Sequence, residues 1–216
     1  MRLVFLMCLC MAVTLFLAQA EIIDRLAITV GNQVITELQI DEELRVTALL
    51  NHEKSVARGL EMRRDAADRM VEQLLIKAEM QLSRYTLSDS NQIDKYYKQI
   101  EDSYGGPAEF ETALRNFNLT PDTLRSHSAL ILTEANFIDV RFRPDVTVSD
   151  AEIEAAYQNR LATWKQTNSG PLPTLEASRD SLRAMLLEER TNAALDNWLG
   201  ENRKRVRLIY LDKSLE

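Results

Sequence analysis

Turn formers are scarce in this chain: six glycines and five prolines serve 216 residues. A sandwich or barrel of many short strands needs a turn signal every ten residues or so, and the scarcity argues against that architecture and favours long helices. Aromatic residues make up only 6% of the chain, so any core is built mainly from aliphatic side chains and methionine. Cysteine is confined to Cys8 and Cys10. Basic residues are outnumbered, 26 against 33 acidic ones, for a net charge of −7. An acidic surface repels phosphate, which argues against nucleic acid as a partner. What remains is 45% hydrophobic and 27% charged, a globular composition suited to long amphipathic helices.

The two cysteines lie inside a targeting signal. Arg2 supplies a positive end, Leu3 to Leu17 is apolar except for Thr14, and Ala18-Gln19-Ala20 offers the small residues that signal peptidase reads. Residues 1–20 are therefore expected to be a signal peptide, with cleavage between Ala20 and Glu21. The alternative is a retained anchor, although the apolar run is shorter than the ~20 residues a bilayer crossing needs. After cleavage the chain carries no thiol and has no stable membrane insertion. Disulfides, thiolate metal sites and cysteine nucleophiles are then excluded.

Residues 21–216 read as one domain. Leu26 to Val30 and Gln33 to Thr36 are β-branched runs separated by Gly31-Asn32, the pattern of a hairpin. Thr36 with Gln39 forms a capping box and starts a helix with an apolar side at Leu38, Val46, Leu49 and Leu50. A second helix is predicted over 61–84, with Met70, Leu74, Ala78 and Leu82 at spacing four and Val71, Leu75 and Ile76 broadening the stripe. Ser88 or Ser90 starts a third, closed by Gly105-Gly106, and Pro107 opens a fourth. Thr120-Pro121, Ser149 with Glu152, and Thr174 are further helix starts. The last helix should bury Leu182, Met185, Leu186, Ala193, Ala194 and Trp198. Between the last two helices, 161–173 reads as a loop.

Val206 to Tyr210 alternates enough to be a strand. Strand signals thus occur only at the two ends, and a hairpin alone is marginal in water. The expected fold is mainly α: a helical module with a small antiparallel sheet formed by the N-terminal hairpin and the C-terminal strand.

No catalytic constellation stands out. His52 and His127 fall in no metal-ligand spacing, and phosphate-cradling glycine loops and serine-nucleophile signatures are absent. Glu42-Glu43 and the Glu152/Glu154 pair sit on helices, where carboxylates usually belong to a solvated face. No catalytic residue, metal site or cofactor is therefore expected. Binding through apolar surface is the remaining option, with Met62, Met70, Leu74, Phe110, Phe117, Phe137 and Met185 as candidate contacts. The same residues can equally be core, and periodicity does not separate the two.

Five stretches carry a family resemblance. Ile22 to Asp41 resembles the opening of SurA-type periplasmic chaperones: an apolar strand, an Asn-containing turn, Val-Ile, then Thr starting a helix. Arg69 to Lys77 is similar to that family's second helix, and Phe110 to Leu124 to its short-helix, Leu-Thr, long-helix passage. Val146 to Tyr157 resembles the segment leading into a parvulin-type prolyl isomerase domain, and Ala184 to Tyr210 the closing helix and strand. In full-length relatives an isomerase domain separates the last two segments; here only Leu161 to Pro173 does. The resemblance therefore implies a periplasmic, ATP-independent chaperone module without isomerase activity, gripping unfolded or extended apolar segments of exported proteins, outer-membrane proteins among them. A scaffold for one dedicated partner and a degenerate prolyl isomerase are the alternatives, and the oligomeric state is left open.

Overall fold

A computed structural model describes residues 24–85, 89–167 and 173–216. The expected signal peptide and its cleavage point at Ala20 and Glu21 lie outside the described residues, as does Ser88.

Strands β1 (Leu26–Val30) and β2 (Gln33–Thr36) form the hairpin. Gly31 takes the positive φ of +62° that the turn requires, and Asn32 is not in the left-handed region. The C-terminal strand β3 (Leu208–Tyr210) pairs antiparallel with β1, placing Tyr210 opposite Ile28 and Ile209 opposite Thr29. The sheet order is β2-β1-β3, so the two chain ends close one sheet as expected.

Seven α-helices follow among the described residues: α1 (Glu37–Leu50), α2 (Leu60–Leu82), α3 (Ser90–Ser103), α4 (Pro107–Asn116), α5 (Pro121–Phe142), α6 (Asp150–Thr167) and α7 (Leu175–Arg205). The fold is mainly α with a small antiparallel sheet. The capping box of α1 is formed: Thr36 Oγ1 accepts from the Gln39 N–H at 3.3 Å, and the Thr36 N–H donates to Gln39 Oε1 at 2.9 Å. At α6, Ser149 and Glu152 repeat the arrangement, and Thr120 and Thr174 cap α5 and α7. Asp89, rather than either serine, caps α3, because its carboxylate accepts the Asn91 N–H. The expected loop over 161–173 is shorter than the sequence suggested. Leu161 to Thr167 continue α6.

Two hydrophobic cores share the molecule. The first joins the inner sheet face (Ile28, Val30, Ile35) to Ile40 and Leu44 of α1, the buried stripe of α2, Phe137 of α5, Leu199 of α7 and Leu215. The second joins Val46, Ala48 and Leu49 of α1 to Ile100 of α3, Phe110 and Leu114 of α4, Leu119 and Leu124. Helices α1 and α5 thus run through both, changing buried face on the way.

That change corrects the expected apolar sides. Leu38 shares an azimuth with Leu49, three turns on, but the second core begins only at Val46, and Leu38 is left 50% exposed. On α2, Val71, Leu75 and Ile76 are buried as expected and Ala67 joins them, but the spacing-four row beside them is not buried. Met70 and Leu74 become half-buried flanks, Ala78 is exposed, and Leu82 is 82% exposed. On α7, Leu182 is buried as expected, and Ser178, Thr191 and Leu199 are buried as well, whereas Met185 and Ala193 are exposed.

Candidate functional site

The seven candidate contacts do not form one face. Phe110 and Phe117 are buried in the second core, where Phe110 meets the rings of Tyr97 and Tyr104 at 5.5 and 5.8 Å. Phe137 is buried in the first core, edge-on to Tyr85 at 5.2 Å. No ligand reaches these three rings without opening a core. Met70 and Leu74 pack against the first core from its rim. Met62 and Met185 are exposed, on α2 and α7 respectively.

Met62 is the one that has company. Leu26, Leu38, Leu60, Met62 and Leu211 are all large, apolar and exposed, and backbone bonds together with the ion pairs of Arg63 bring their segments to one end of the sheet. The Glu37 N–H donates to Arg25 O at 2.9 Å, and the Leu38 N–H to Asp24 Oδ1 at 3.2 Å, tying the start of α1 to the start of β1. Ala27 O accepts from the N–H groups of Leu211 and Asp212, at 2.8 and 3.0 Å, which lays the end of β3 beside the same strand. Arg63, next to Met62, then bridges Glu37 at 3.1 Å and Asp212 at 3.8 Å. The Asp212 carboxyl is held below its usual range by the Ser214 N–H and hydroxyl, with Arg63 adding to the effect. The Arg63 ion pairs thus tie together the segments that carry this loose ring of exposed leucine and methionine. Sequence reading missed Leu26, Leu60 and Leu211 because each stands at an element boundary, where periodicity carries no signal.

A second opening, of mixed polar and apolar lining, lies on the α6–α7 hairpin. A cleft of about 410 Å³ is lined by Ala156, Asn159, Arg160, Thr163, Leu182, Met185, Leu186 and Glu189. The hairpin is braced at its base, where Arg190 donates to both Glu152 and Thr147 O. Glu152 is drawn down to about 2, first by its hydrogen bonds from Ser149 and then by Arg190. Its carboxylate is therefore committed to a cap and an ion pair, while Glu154 accepts from Gln158 at 2.7 Å.

Between the two cores runs a polar seam. Glu43 of α1 accepts from Arg69 Nε of α2 and from the Thr47 hydroxyl, each at 3.4 Å. His127 of α5 places Nε2 at 3.9 Å from Glu42 and 4.0 Å from Glu43. Its Nδ1 lies 3.0 Å from Thr123 O, and since a carbonyl only accepts, Nδ1 carries a hydrogen there. Glu134 of α5 is 9% exposed, and its Oε1 is fully buried without a hydrogen-bond partner. Burial first, and then the neighbouring Glu43 charge, push Glu134 up to about 7 against an opposing pull from Lys77. Nothing in the sequence pattern flagged Glu134, since a single glutamate on a helix reads as solvated.

Among the described residues no group of histidine and carboxylate side chains has the arrangement of a metal site, and no helix is long and apolar enough to cross a membrane. His52 stacks on Tyr104 with ring centroids 4.4 Å apart. No protein-family model matches the chain, and no curated protein matches it either.

Proposed function

We propose that this protein is an exported, ATP-independent holdase that grips extended apolar segments of other exported polypeptides, as the resemblance to SurA-type chaperones implies. Periplasmic export follows from the apolar Leu3–Leu17 segment and the Ala18-Gln19-Ala20 site. The observation that carries the binding reading is the ring of Leu26, Leu38, Leu60, Met62 and Leu211, held open by the Arg63 clamp. Exposed apolar residues concentrated at one place mark interaction surface, whereas scattered ones need no explanation.

The strength of the grip follows from the area available. Covering one half-exposed leucine yields roughly 1 kcal/mol, so the ring offers about 5 kcal/mol gross before association and ordering costs. The ring alone therefore supports dissociation constants of roughly 100 µM or weaker. Micromolar binding requires a client long enough to engage the α6–α7 cleft as well, which Met185 lines with an adaptable thioether. A reversible hold of this kind needs no nucleotide.

The test is suppression of aggregation of a chemically unfolded outer-membrane protein at several-fold molar excess. The full chain should suppress it, and the triple variant Leu38→Ser, Met62→Ser, Leu211→Ser should lose most of that effect while keeping its far-UV circular dichroism. Equal suppression by both proteins would remove the ring from the mechanism. No suppression by either would remove the holdase reading.

A further inference from the structure

A carboxyl with one buried, unpartnered oxygen, Glu134, is kept at the seam between the two cores, where both through-running helices change buried face. Along α5, Leu124 belongs to the second core and Phe137 to the first, with Ser128 and Glu134 buried between them. Along α1, Leu44 belongs to the first core and Val46 to the second, with Glu43 immediately before the change. The sheet, α2 and the end of α7 sit on one side of the seam; α3 and α4 sit on the other. Among the described residues Val56, outside the two shared helices, packs against both cores.

We propose that this seam is a proton-operated hinge: with a proton held on the Glu134 carboxyl the two lobes stay closed on one another, and its release loosens α5 from α1 and α2. A protonated carboxyl can rest in an apolar gap, whereas a carboxylate with a buried, unpartnered oxygen cannot do so without cost. The charges that face Glu134 are Glu43 from α1 and Lys77 from α2. Glu43 is met in turn by Arg69 of α2 and by His127 of α5, which also approaches Glu42. Helix α3 meets α5 elsewhere, through Asp94–Arg125 and Gln92–Asn136, and α7 meets it through Trp198 against Phe142. Among the described residues Lys77 is the cation that opposes the desolvation of Glu134, and it acts through its charge.

The sign is fixed by the direction of the shift. Glu134 binds its proton more tightly in the closed state, with a value raised from 4.5 to about 7. The closed state is therefore fully favoured below about pH 4.5, loses ground tenfold per pH unit up to about 7, and changes no further above that. From pH 5 to pH 8 the opening equilibrium should rise by on the order of a hundredfold. The inference is independent of what the protein binds.

Amide hydrogen exchange on the full chain, corrected for the intrinsic pH dependence of exchange, reads the opening directly. Protection of amides at 43–49 and 124–137 should fall between pH 5 and pH 7, and amides at 28–30 in the sheet should keep theirs. Glu134→Gln should flatten the profile at its closed, acid-side value. His127→Gln should leave the dependence in place, because that ring does not carry the proton in question. Glu43→Gln should move the window toward lower pH by removing the neighbouring charge. A wild-type profile that is flat, a dependence that survives Glu134→Gln, or one abolished by His127→Gln overturns the proposal. Should Glu134→Gln fold poorly, the direction of the Glu43→Gln shift decides the matter by itself.

Discussion

The penultimate residue is the most informative place to perturb this fold. Chain ends are usually frayed and tolerant of change, yet Leu215 is only 4% exposed and belongs to the first core. It is delivered there by a short 3₁₀ turn, Lys213–Leu215, in which Asp212 accepts the Ser214 N–H at 2.9 Å and Arg64 of α2 donates to Ser214 O at 2.7 Å. A buried leucine cut back to alanine costs 2–5 kcal/mol, and a site near a terminus can partly collapse, so about 3 kcal/mol is expected for Leu215→Ala. With a urea slope of about 2 kcal/mol/M, the unfolding midpoint should drop by about 1.5 M. Glu216→Ala is the control, because its pair with Lys213 is exposed and worth well under 1 kcal/mol. If Leu215→Ala shifts the midpoint no more than Glu216→Ala does, the tail is not docked on α2. The closure of the sheet by both chain ends would then lose its anchor.

Two further perturbations test neighbouring parts of the argument. Gly31→Ala puts a side chain at φ +62° with its Cβ 3.4 Å from Val206 Cγ2, so it should cost 1 kcal/mol or more, roughly, in a urea titration. A loss near zero would mean that the hairpin turn is not locked between β1 and the residue that leads into β3. Glu152, held down at about 2, contributes to the base of the α6–α7 hairpin above its ordinary value of 4.5, and that contribution is lost as pH falls from 4.5 toward 2. Exchange at the first turn of α6 should therefore accelerate on acidification ahead of the sheet, and Arg190→Gln should weaken the effect by removing one of the two hydrogen-bonding partners.

Helix starts were the most legible part of the fold, because a cap is a local contract between neighbouring residues. Thr36 with Gln39 and Ser149 with Glu152 meet that contract in the structure as they do in the sequence. The joining of β3 to the hairpin was legible for a different reason: a two-stranded hairpin needs a third strand, and only one segment elsewhere had the pattern. Which face of each helix is buried was less legible. Periodicity gives the azimuth of a side chain but not the neighbour that covers it, and α1 and α5 have different neighbours along their length. Leu38 and the Met70–Leu82 row were placed inside for that reason. The candidate site suffered most, since Phe110, Phe117 and Phe137 are recognisable as apolar but not as already covered. Leu211 and Leu60, by contrast, lie outside any periodic run.

The ring and the seam place opposite demands on the same domain. A surface that holds apolar chain must stay uncovered, and here the backbone around it is fixed: the Arg63 clamp and the bonds from Leu211 and Asp212 to Ala27 O tie the segments of Leu26, Leu38 and Leu211 together. The seam does the reverse, leaving one Glu134 oxygen buried without a hydrogen-bond partner between the two cores. Rigid exposure and poised opening are compatible only because they are spatially separate. The ring gathers at the sheet end, on the first-core side, whereas the seam lies where α1 and α5 pass into the second core. Loosening α5 would thus uncover Leu124 of the second core and Phe137 of the first without breaking the Arg63 clamp that holds the ring's segments. A domain built this way can enlarge its apolar surface through the state of one carboxyl while the clamp at Arg63 stays in place, and that separation is what the hydrogen-exchange pattern in the sheet against that in α5 would reveal.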